Sequence, residues 1–132
     1  MNDIEKQLFY QLNEFEERKN WIHEEVMFAL NLDKKTYLEI LSFSAKHLKN
    51  NILVEYIINE RNKEVVKDLT DKGIVEKHTG KRNKEVVRFT EYGSNLINNI
   101  QELTIDLWSK YFGVLDTRDK KDFSKLLDKF LG

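Results

Sequence analysis

The sequence has 132 residues, of which 40% are hydrophobic and 34% are charged, with a formal net charge of −1. This length suits one globular domain with its own core, and the near-neutral total excludes a protein that is basic over its whole surface. The absence of cysteine excludes disulfides and thiolate chemistry. No apolar run approaches the length that crosses a bilayer, and the first residues lack a signal-peptide pattern, so we expect a cytoplasmic protein without membrane contact.

Two helices are predicted in the first part of the chain. Residues 3–30 carry apolar side chains at helical spacing opposite a charged face, and this helix is long enough to project beyond a small core. Asp33 is the predicted N-cap of a second helix, over residues 34–46, which has little polar face and is expected to be buried. The apolar run at residues 52–58 fits either a strand or a short helix.

A further helix is predicted behind Asn59, its candidate N-cap, because Val65, Val66 and Leu69 repeat at helical spacing. Gly73 is the natural left-handed C-cap of this helix.

A β-hairpin follows, with a first strand opening at Ile74, a turn at residues 79–81 and a second strand at residues 86–89. Helix, capped stop and hairpin together predict a winged helix-turn-helix, a mainly α fold with a small β-hairpin wing. We therefore interpret residues 52–58 as the short supporting helix that such a motif needs.

Two more helices are predicted after the hairpin. Thr90 caps one that ends at Gly113, and Asp116 caps the last. Residues 1–30 and 95–131 carry more apolar face than a small domain can bury, which predicts a two-fold homodimer built from both ends of the chain. A monomeric helical bundle is the alternative. The predicted dimer-interface residues are Ile4, Leu8, Leu12, Leu107, Trp108, Phe123, Leu127, Phe130 and Leu131.

Charge is unevenly distributed along the chain. Residues 1–30 hold three basic and seven acidic side chains, whereas residues 77–88 hold five basic side chains and one acidic side chain. One basic patch on an otherwise neutral body is the pattern expected of a surface that contacts nucleic acid. A solvated, charged hairpin is the alternative interpretation.

The sequence RNKEVV occurs twice, at residues 61–66 and at residues 82–87. We place the first copy on a helix and the second on a strand, because tertiary context overrides local propensity. The flanking residues match poorly, so the recurrence does not indicate a structural repeat.

Four segments, taken in this order, resemble the MarR family of bacterial winged-helix transcription regulators, with the SarA-like proteins as a close branch. Residues 30–38 resemble the junction between the first two helices, and residues 67–77 resemble the end of the recognition helix and the start of the wing. Residues 87–93 resemble the exit of the wing, and residues 115–127 resemble the final helix. Where the family's wing usually has an aspartate and an arginine, this chain has Lys81 and Asn83.

The resemblance implies one domain, with a DNA-binding lobe at residues 34–90 and a helical dimerisation region at residues 1–30 and 91–132. It implies a homodimeric regulator, repressor or activator, that reads double-stranded DNA and responds to an unidentified small-molecule effector. The residues implied in DNA contact are Arg61, Asn62, Lys63, Lys67, Lys77, Lys81, Arg82 and Lys84. A bidentate contact from Arg61 to guanine and one from Asn62 to adenine would read bases, and the wing cations would hold phosphates or the minor groove.

An enzyme is not expected, because the chain lacks a glycine-rich phosphate loop and its three histidines lack the paired spacing of a metal site. We therefore predict neither a cofactor nor a metal. The competing hypothesis is a winged-helix protein–protein interaction module, a co-regulator or antirepressor that has lost specific DNA binding.

Overall fold

Five helices and three strands form the described part of the chain. The computed structural model describes the backbone of residues 1–50 and 55–132, and the side chains of residues 1–43 and 55–132. The elements in chain order are α1 (Asp3–Ala29), α2 (Lys34–Asn50), β1 (Tyr56–Ile57), α3 (Lys63–Asp71), β2 (Val75–Thr79), β3 (Glu85–Phe89), α4 (Glu91–Phe112) and α5 (Thr117–Leu131).

The helix boundaries predicted from Asp33, Gly73, Thr90 and Asp116 are confirmed, whereas α3 begins at Lys63 and not directly behind Asn59. Asp33 accepts hydrogen bonds from the backbone N–H and the hydroxyl of Thr36, and Thr90 and Asp116 each accept from the backbone N–H three residues on. Gly73 has φ +72°, the left-handed conformation that closes α3. Because these signals lie within a few residues of each helix end, they can be read from the sequence alone.

The wing contains one strand more than the predicted hairpin. The strand order is β1-β3-β2, and both pairs are antiparallel. Within the helix predicted at residues 52–58, residues 52–54 lie outside the described residues, and Tyr56–Ile57 pairs with β3 instead. That part of the prediction is wrong because β3 offers an open edge of backbone donors and acceptors, which a distant segment satisfies.

The tip of the hairpin is also later than predicted. The chain reverses at residues 81–84, not at residues 79–81, and the backbone N–H of Lys84 donates to the carbonyl of Lys81 at 3.4 Å. Arg82 and Asn83, the two central residues, have φ +61° and +57°. Two successive left-handed residues define a type I′ turn, whose twist matches that of the flanking strands.

The core lies between α2, α3, the sheet and the adjoining parts of α1 and α4. Its buried side chains are Ile22, Val26, Tyr37, Ile40, Phe43, Val66, Leu69, Ile74, Val75, Val87, Phe89, Leu96, Ile97 and Ile100. The start of α4 lies so close to the wing that a Cβ on Gly93 would stand 2.0 Å from the carbonyl oxygen of Ile74. Only glycine fits at that position, and the approach fixes α4 against the wing.

The two ends of the chain contribute little to this core. The first twenty residues are all exposed, and α5 has no buried residue. None of the described helices is long and apolar enough to cross a membrane. The apolar side chains at both ends therefore lie on the surface of the single chain.

Candidate nucleic-acid interface

A compact turn precedes α3 and presents Arg61. The side-chain oxygen of Asn59 accepts from the backbone N–H groups of Arg61 and Asn62, at 2.9 and 3.0 Å. In return, the side-chain oxygen of Asn62 accepts from the backbone N–H of Asn59 at 2.9 Å, and its amide nitrogen donates to the carbonyl of Ile57 at 2.9 Å. Asn59 thus caps this turn, and α3 begins one turn later, at Lys63. Arg61 and Asn62 lie ahead of the helix, not on it as predicted.

One side of α3 is in the core and the opposite side is charged. Val66 and Leu69 are fully buried, whereas Lys63, Glu64 and Lys67 are exposed. Lys63 donates to Glu60 at 2.6 Å, so its charge is largely compensated. Among the described residues, Arg61 of the preceding turn and Lys67 have no ion-pair partner, which leaves these two cations available to a ligand.

The end of α3 is stopped by backbone hydrogen bonds. The N–H of Gly73 donates to the carbonyl of Thr70 at 3.0 Å, and the N–H of Ile74 donates to the carbonyl of Leu69 at 2.9 Å. This is the Schellman arrangement, which leaves no room for the helix to continue. It directs the chain from α3 straight into β2.

The wing tip carries a second group of cations. Lys81, Arg82 and Lys84 are exposed and have no ion-pair partner within the described part of the chain, and Lys77 on β2 is likewise exposed and unpaired. A bulky residue is rarely found with a left-handed φ, and strain of this kind concentrates at functional sites. Arg82 is such a residue, so its guanidinium is held at the tip despite a backbone cost.

The outer face of the sheet is apolar at its centre and basic at its rim. Val86 is buried there and Ile57 is 55% exposed, and both line a cavity of about 560 Å³ bordered by the wing-tip cations. Arg88 is held by Glu55, with 2.6 Å between its guanidinium and the carboxylate. This ion pair joins β3 to the residue ahead of β1 and takes Arg88 out of the unpaired set.

Of the eight residues assigned to DNA contact, seven are exposed and Asn62 is half-buried. The amide oxygen and the amide nitrogen of Asn62 each make one hydrogen bond within the turn, which holds this side chain against the backbone. We therefore propose that Asn62 positions Arg61 instead of reading adenine. Contact of the other seven residues with DNA stays a prediction.

The nine residues assigned to a dimer interface fall into two groups. Seven are exposed: Ile4, Leu8 and Leu12 on α1, and Phe123, Leu127, Phe130 and Leu131 on α5. The other two, Leu107 and Trp108 on α4, are half-buried and pack against the core. Trp108 also stacks on Phe15 of α1, with 5.0 Å between ring centroids. Within one chain, this pair therefore contributes to the packing of α1 on α4.

A polar group that sequence reasoning missed connects α3 to α2. Lys35 lies 3.1 Å from the carboxylate of Asp68, and Glu39 beside them is buried. The available signal was a glutamate on a helix that is otherwise predicted to be buried, but the ion-pair partner of Lys35 is 33 positions along the chain. The contact therefore appears only once α2 and α3 are packed together.

No protein-family model and no curated protein sequence matches this chain. Several solved structures, however, are similar to it. A MarR-family transcriptional regulator from Silicibacter pomeroyi superposes with a TM-score of 0.63 at 17% identity, over 92% of this chain and 86% of that one. Wild-type apo MarR from E. coli superposes with a TM-score of 0.61 at 16% identity, over 96% of both chains. The organohalide-sensing transcriptional regulator RdhR, free of ligand, gives 0.63 at 13% identity, over 98% of this chain and 80% of its own.

At these identities the likeness shows the fold. The chain has the winged-helix fold seen in MarR-family transcriptional regulators, as the sequence resemblance predicted. The SarA-like branch of the resemblance stays a prediction.

Proposed function

We propose that this protein is a sequence-specific regulator of transcription that binds double-stranded DNA as a homodimer. Residues 34–90 form the DNA-contacting lobe, and the helical ends of the chain form the dimer. The observation that carries the proposal is the position of the unpaired cations. Arg61 and Lys67 lie at the turn and outer side of α3, and Lys81, Arg82 and Lys84 lie at the wing tip, the two parts of a winged helix suited to meeting a duplex.

In this arrangement α3 enters the major groove. Arg61, exposed at the leading turn, would donate a bidentate pair to guanine, a contact worth about 1–3 kcal/mol of discrimination. Lys67, one turn along the exposed side, would meet a phosphate. Sequence choice then depends mainly on the leading end of the helix.

The wing contributes affinity. Lys81, Arg82 and Lys84 are held at the end of a rigid two-residue turn, so they reach phosphates or the minor groove without a large loss of backbone freedom. Contacts of this kind release counterions and are largely indifferent to sequence. The wing therefore sets the strength of binding and its salt dependence.

Dimerisation would cover the apolar ends of the chain. Phe130 and Leu131 on α5 are 73% and 78% exposed, and Ile4 on α1 is 70% exposed. Large apolar side chains that are this exposed at both ends of the chain favour an interaction surface. A second copy covers both ends by one two-fold axis and also places two copies of α3 for two half-sites, about 34 Å apart on B-DNA.

The oligomeric state tests the second part of the proposal. Sedimentation equilibrium should give twice the chain mass for the wild-type protein and a concentration-dependent shift towards monomer for Leu127→Glu with Phe130→Glu. Leu38→Glu is the matched control, because Leu38 on α2 is 51% exposed and lies outside residues 1–30 and 91–132. A wild-type monomer at high concentration would contradict the proposed dimer.

A binding selection from random duplexes at moderate salt tests the DNA-binding part. We expect an enriched palindrome whose half-sites are about one helical turn apart. Weak, salt-sensitive retention without enrichment would instead favour the interaction-module hypothesis, and affinity capture of a protein partner would follow.

A further inference from the structure

A hydrogen bond between two side chains joins α1 to α2. The Nδ1 atom of His23, in the second half of α1, lies 2.6 Å from the hydroxyl oxygen of Tyr37, near the start of α2. The two rings also meet edge to face, with 5.5 Å between their centroids. Among the described residues, this is the only hydrogen bond between side chains of these two helices. It therefore connects the helix assigned to the dimer with the lobe assigned to DNA.

The burial of Tyr37 determines which group donates this hydrogen bond. Tyr37 is 0% exposed, and within the described part of the chain His23 is the only hydrogen-bond partner of its hydroxyl. If Nδ1 carried a proton and donated it, the hydroxyl proton would be buried without an acceptor, which is costly. Tyr37 is therefore the donor and Nδ1 the acceptor, so the single ring proton of neutral His23 lies on Nε2. Burial raises the pKa of Tyr37 to about 12, so the hydroxyl keeps its proton wherever histidine titrates.

A proton on Nδ1 would remove this acceptor. The imidazolium ring has two donors and no acceptor, so the hydroxyl of Tyr37 would lose the partner of its proton inside the core. The charged groups of the described residues that act on His23 are Lys19 and Glu16 of its own helix, which pair with each other at 4.0 Å. Burial lowers the pKa of His23 below its ordinary value of 6.5, and the charge of Lys19 lowers it further, against the opposing effect of Glu16. The neutral imidazole is thus the form that the fold favours.

We propose that His23 is a positioning residue, whose neutral imidazole holds α1 against α2 by accepting a hydrogen bond from Tyr37. Protonation of His23 breaks this bond and loosens the contact between the two helices. Since α1 belongs to the proposed dimer and α2 to the DNA-contacting lobe, this inference rests on the proposed function where it concerns DNA. The two copies of α3 then lose their relative placement, and DNA affinity falls as pH falls.

The direction of the pH effect follows from linkage. The pKa of His23 is lower in the folded chain than in the unfolded chain, so its stabilising contribution is fully present above 6.5. It is lost progressively as pH falls from that value through the lowered folded pKa. Each unit between the two pKa values makes folding about tenfold less favourable at pH below both.

The first test compares the wild-type protein with His23→Asn, whose amide oxygen replaces Nδ1 as the acceptor and cannot take up a proton. Denaturant unfolding across a pH series should show the wild-type folding constant falling relative to that of His23→Asn below pH 6.5. His78→Gln on β2 is the matched control, because it also removes one histidine but leaves the bond between α1 and α2 intact. This control should keep the decline towards low pH. Parallel profiles for the wild-type protein and His23→Asn would overturn the proposal.

Nitrogen NMR of the imidazole ring gives a second decision. In the unaltered protein, neutral His23 should carry its proton on Nε2, and its titration midpoint should lie below 6.5. The midpoint should rise in Tyr37→Phe, because this change removes a hydrogen bond that favours the neutral ring. A neutral ring with its proton on Nδ1, or a midpoint that Tyr37→Phe does not change, would overturn the proposal.

DNA affinity measured over the same pH series separates this inference from the proposed function. As pH falls, the wild-type protein should lose more affinity for its selected duplex than His23→Asn does. Equal losses would overturn the role of His23 in DNA binding. If neither protein binds any duplex at any pH, the proposed function fails, and the unfolding and NMR measurements still decide whether His23 holds α1 against α2.

Discussion

The two RNKEVV copies have different conformations. Residues 61–66 form the turn ahead of α3 and its first helical turn, whereas residues 82–87 form the wing turn and the first part of β3. Asn62 has φ −110°, while Arg82 and Asn83 have φ +61° and +57°. Because the six side chains are the same, the difference comes from what each copy packs against: the first lies on α2 and the second between β1 and β2.

The copies also share a feature. Val66 and Val87, the last residue of each copy, are 0% and 1% exposed in the core, and Arg61 and Arg82, the first residues, are both exposed. The surrounding structure therefore determines the backbone conformation of each copy, whereas hydrophobic burial determines which end of each copy faces the core. Under the proposed function, Arg61 contributes to the sequence specificity of DNA binding and Arg82 contributes to its affinity.

The largest predicted effect comes from removing the wing cations. Changing Lys81, Arg82 and Lys84 together to alanine should weaken DNA binding on the order of 10²-fold at low salt. The slope of log affinity against log salt should fall by about 0.9 for each phosphate that the wing no longer neutralises. Fluorescence anisotropy with a labelled duplex at several salt concentrations measures both quantities.

A matched control distinguishes DNA contact by the wing from the general effect of removing positive charge. Changing Arg118, Lys121 and Lys125 on α5 to alanine removes the same charges, one arginine and two lysines, from another exposed surface. We expect the control to keep the wild-type slope. If the wing variant keeps it as well, the wing does not touch DNA.

The buried valine that ends each copy allows the two copies to be compared by their contribution to stability. Either Val66→Ala or Val87→Ala removes core volume, at a cost of about 2 kcal/mol. Alanine favours a helix but disfavours a strand, so Val87→Ala should lose about 1 kcal/mol more of the free energy of unfolding. Denaturant melts of the two variants decide this, and equal losses would mean that backbone context contributes little at these positions.

The smallest predicted effect has opposite signs in the two copies. Asn62→Gly removes two hydrogen bonds from the turn and should cost about 1–2 kcal/mol. Asn83→Gly relieves a left-handed residue and should gain about 0.5 kcal/mol. Asn83→Ala should be destabilising, because a Cβ disfavours that conformation. Thermal melts that shift both glycine variants in the same direction would contradict this difference between the copies.

Most of the fold could be predicted from the sequence, because its signals are local. Asp33, Gly73, Thr90 and Asp116 each end or start a helix by interactions within a few residues. The strand β1 could not be predicted in this way, because it forms only by pairing with β3 about 30 residues later.

The candidate site was less predictable, because it depends on distant pairs. Which cations are unpaired follows partly from a local ion pair, Lys63 with Glu60, and partly from a distant one, Arg88 with Glu55. The ion pair between Lys35 and Asp68 likewise joins two different helices.

The most direct test of the different roles of the two copies repeats the duplex selection with Arg61→Ala and with Arg82→Ala. The Arg82 variant should return the wild-type motif with weaker retention and a smaller salt slope. The Arg61 variant should lose preference at one base pair in each half-site, a loss of about 1–3 kcal/mol of discrimination. A motif that changes with Arg82 but not with Arg61 would contradict the proposed division of roles.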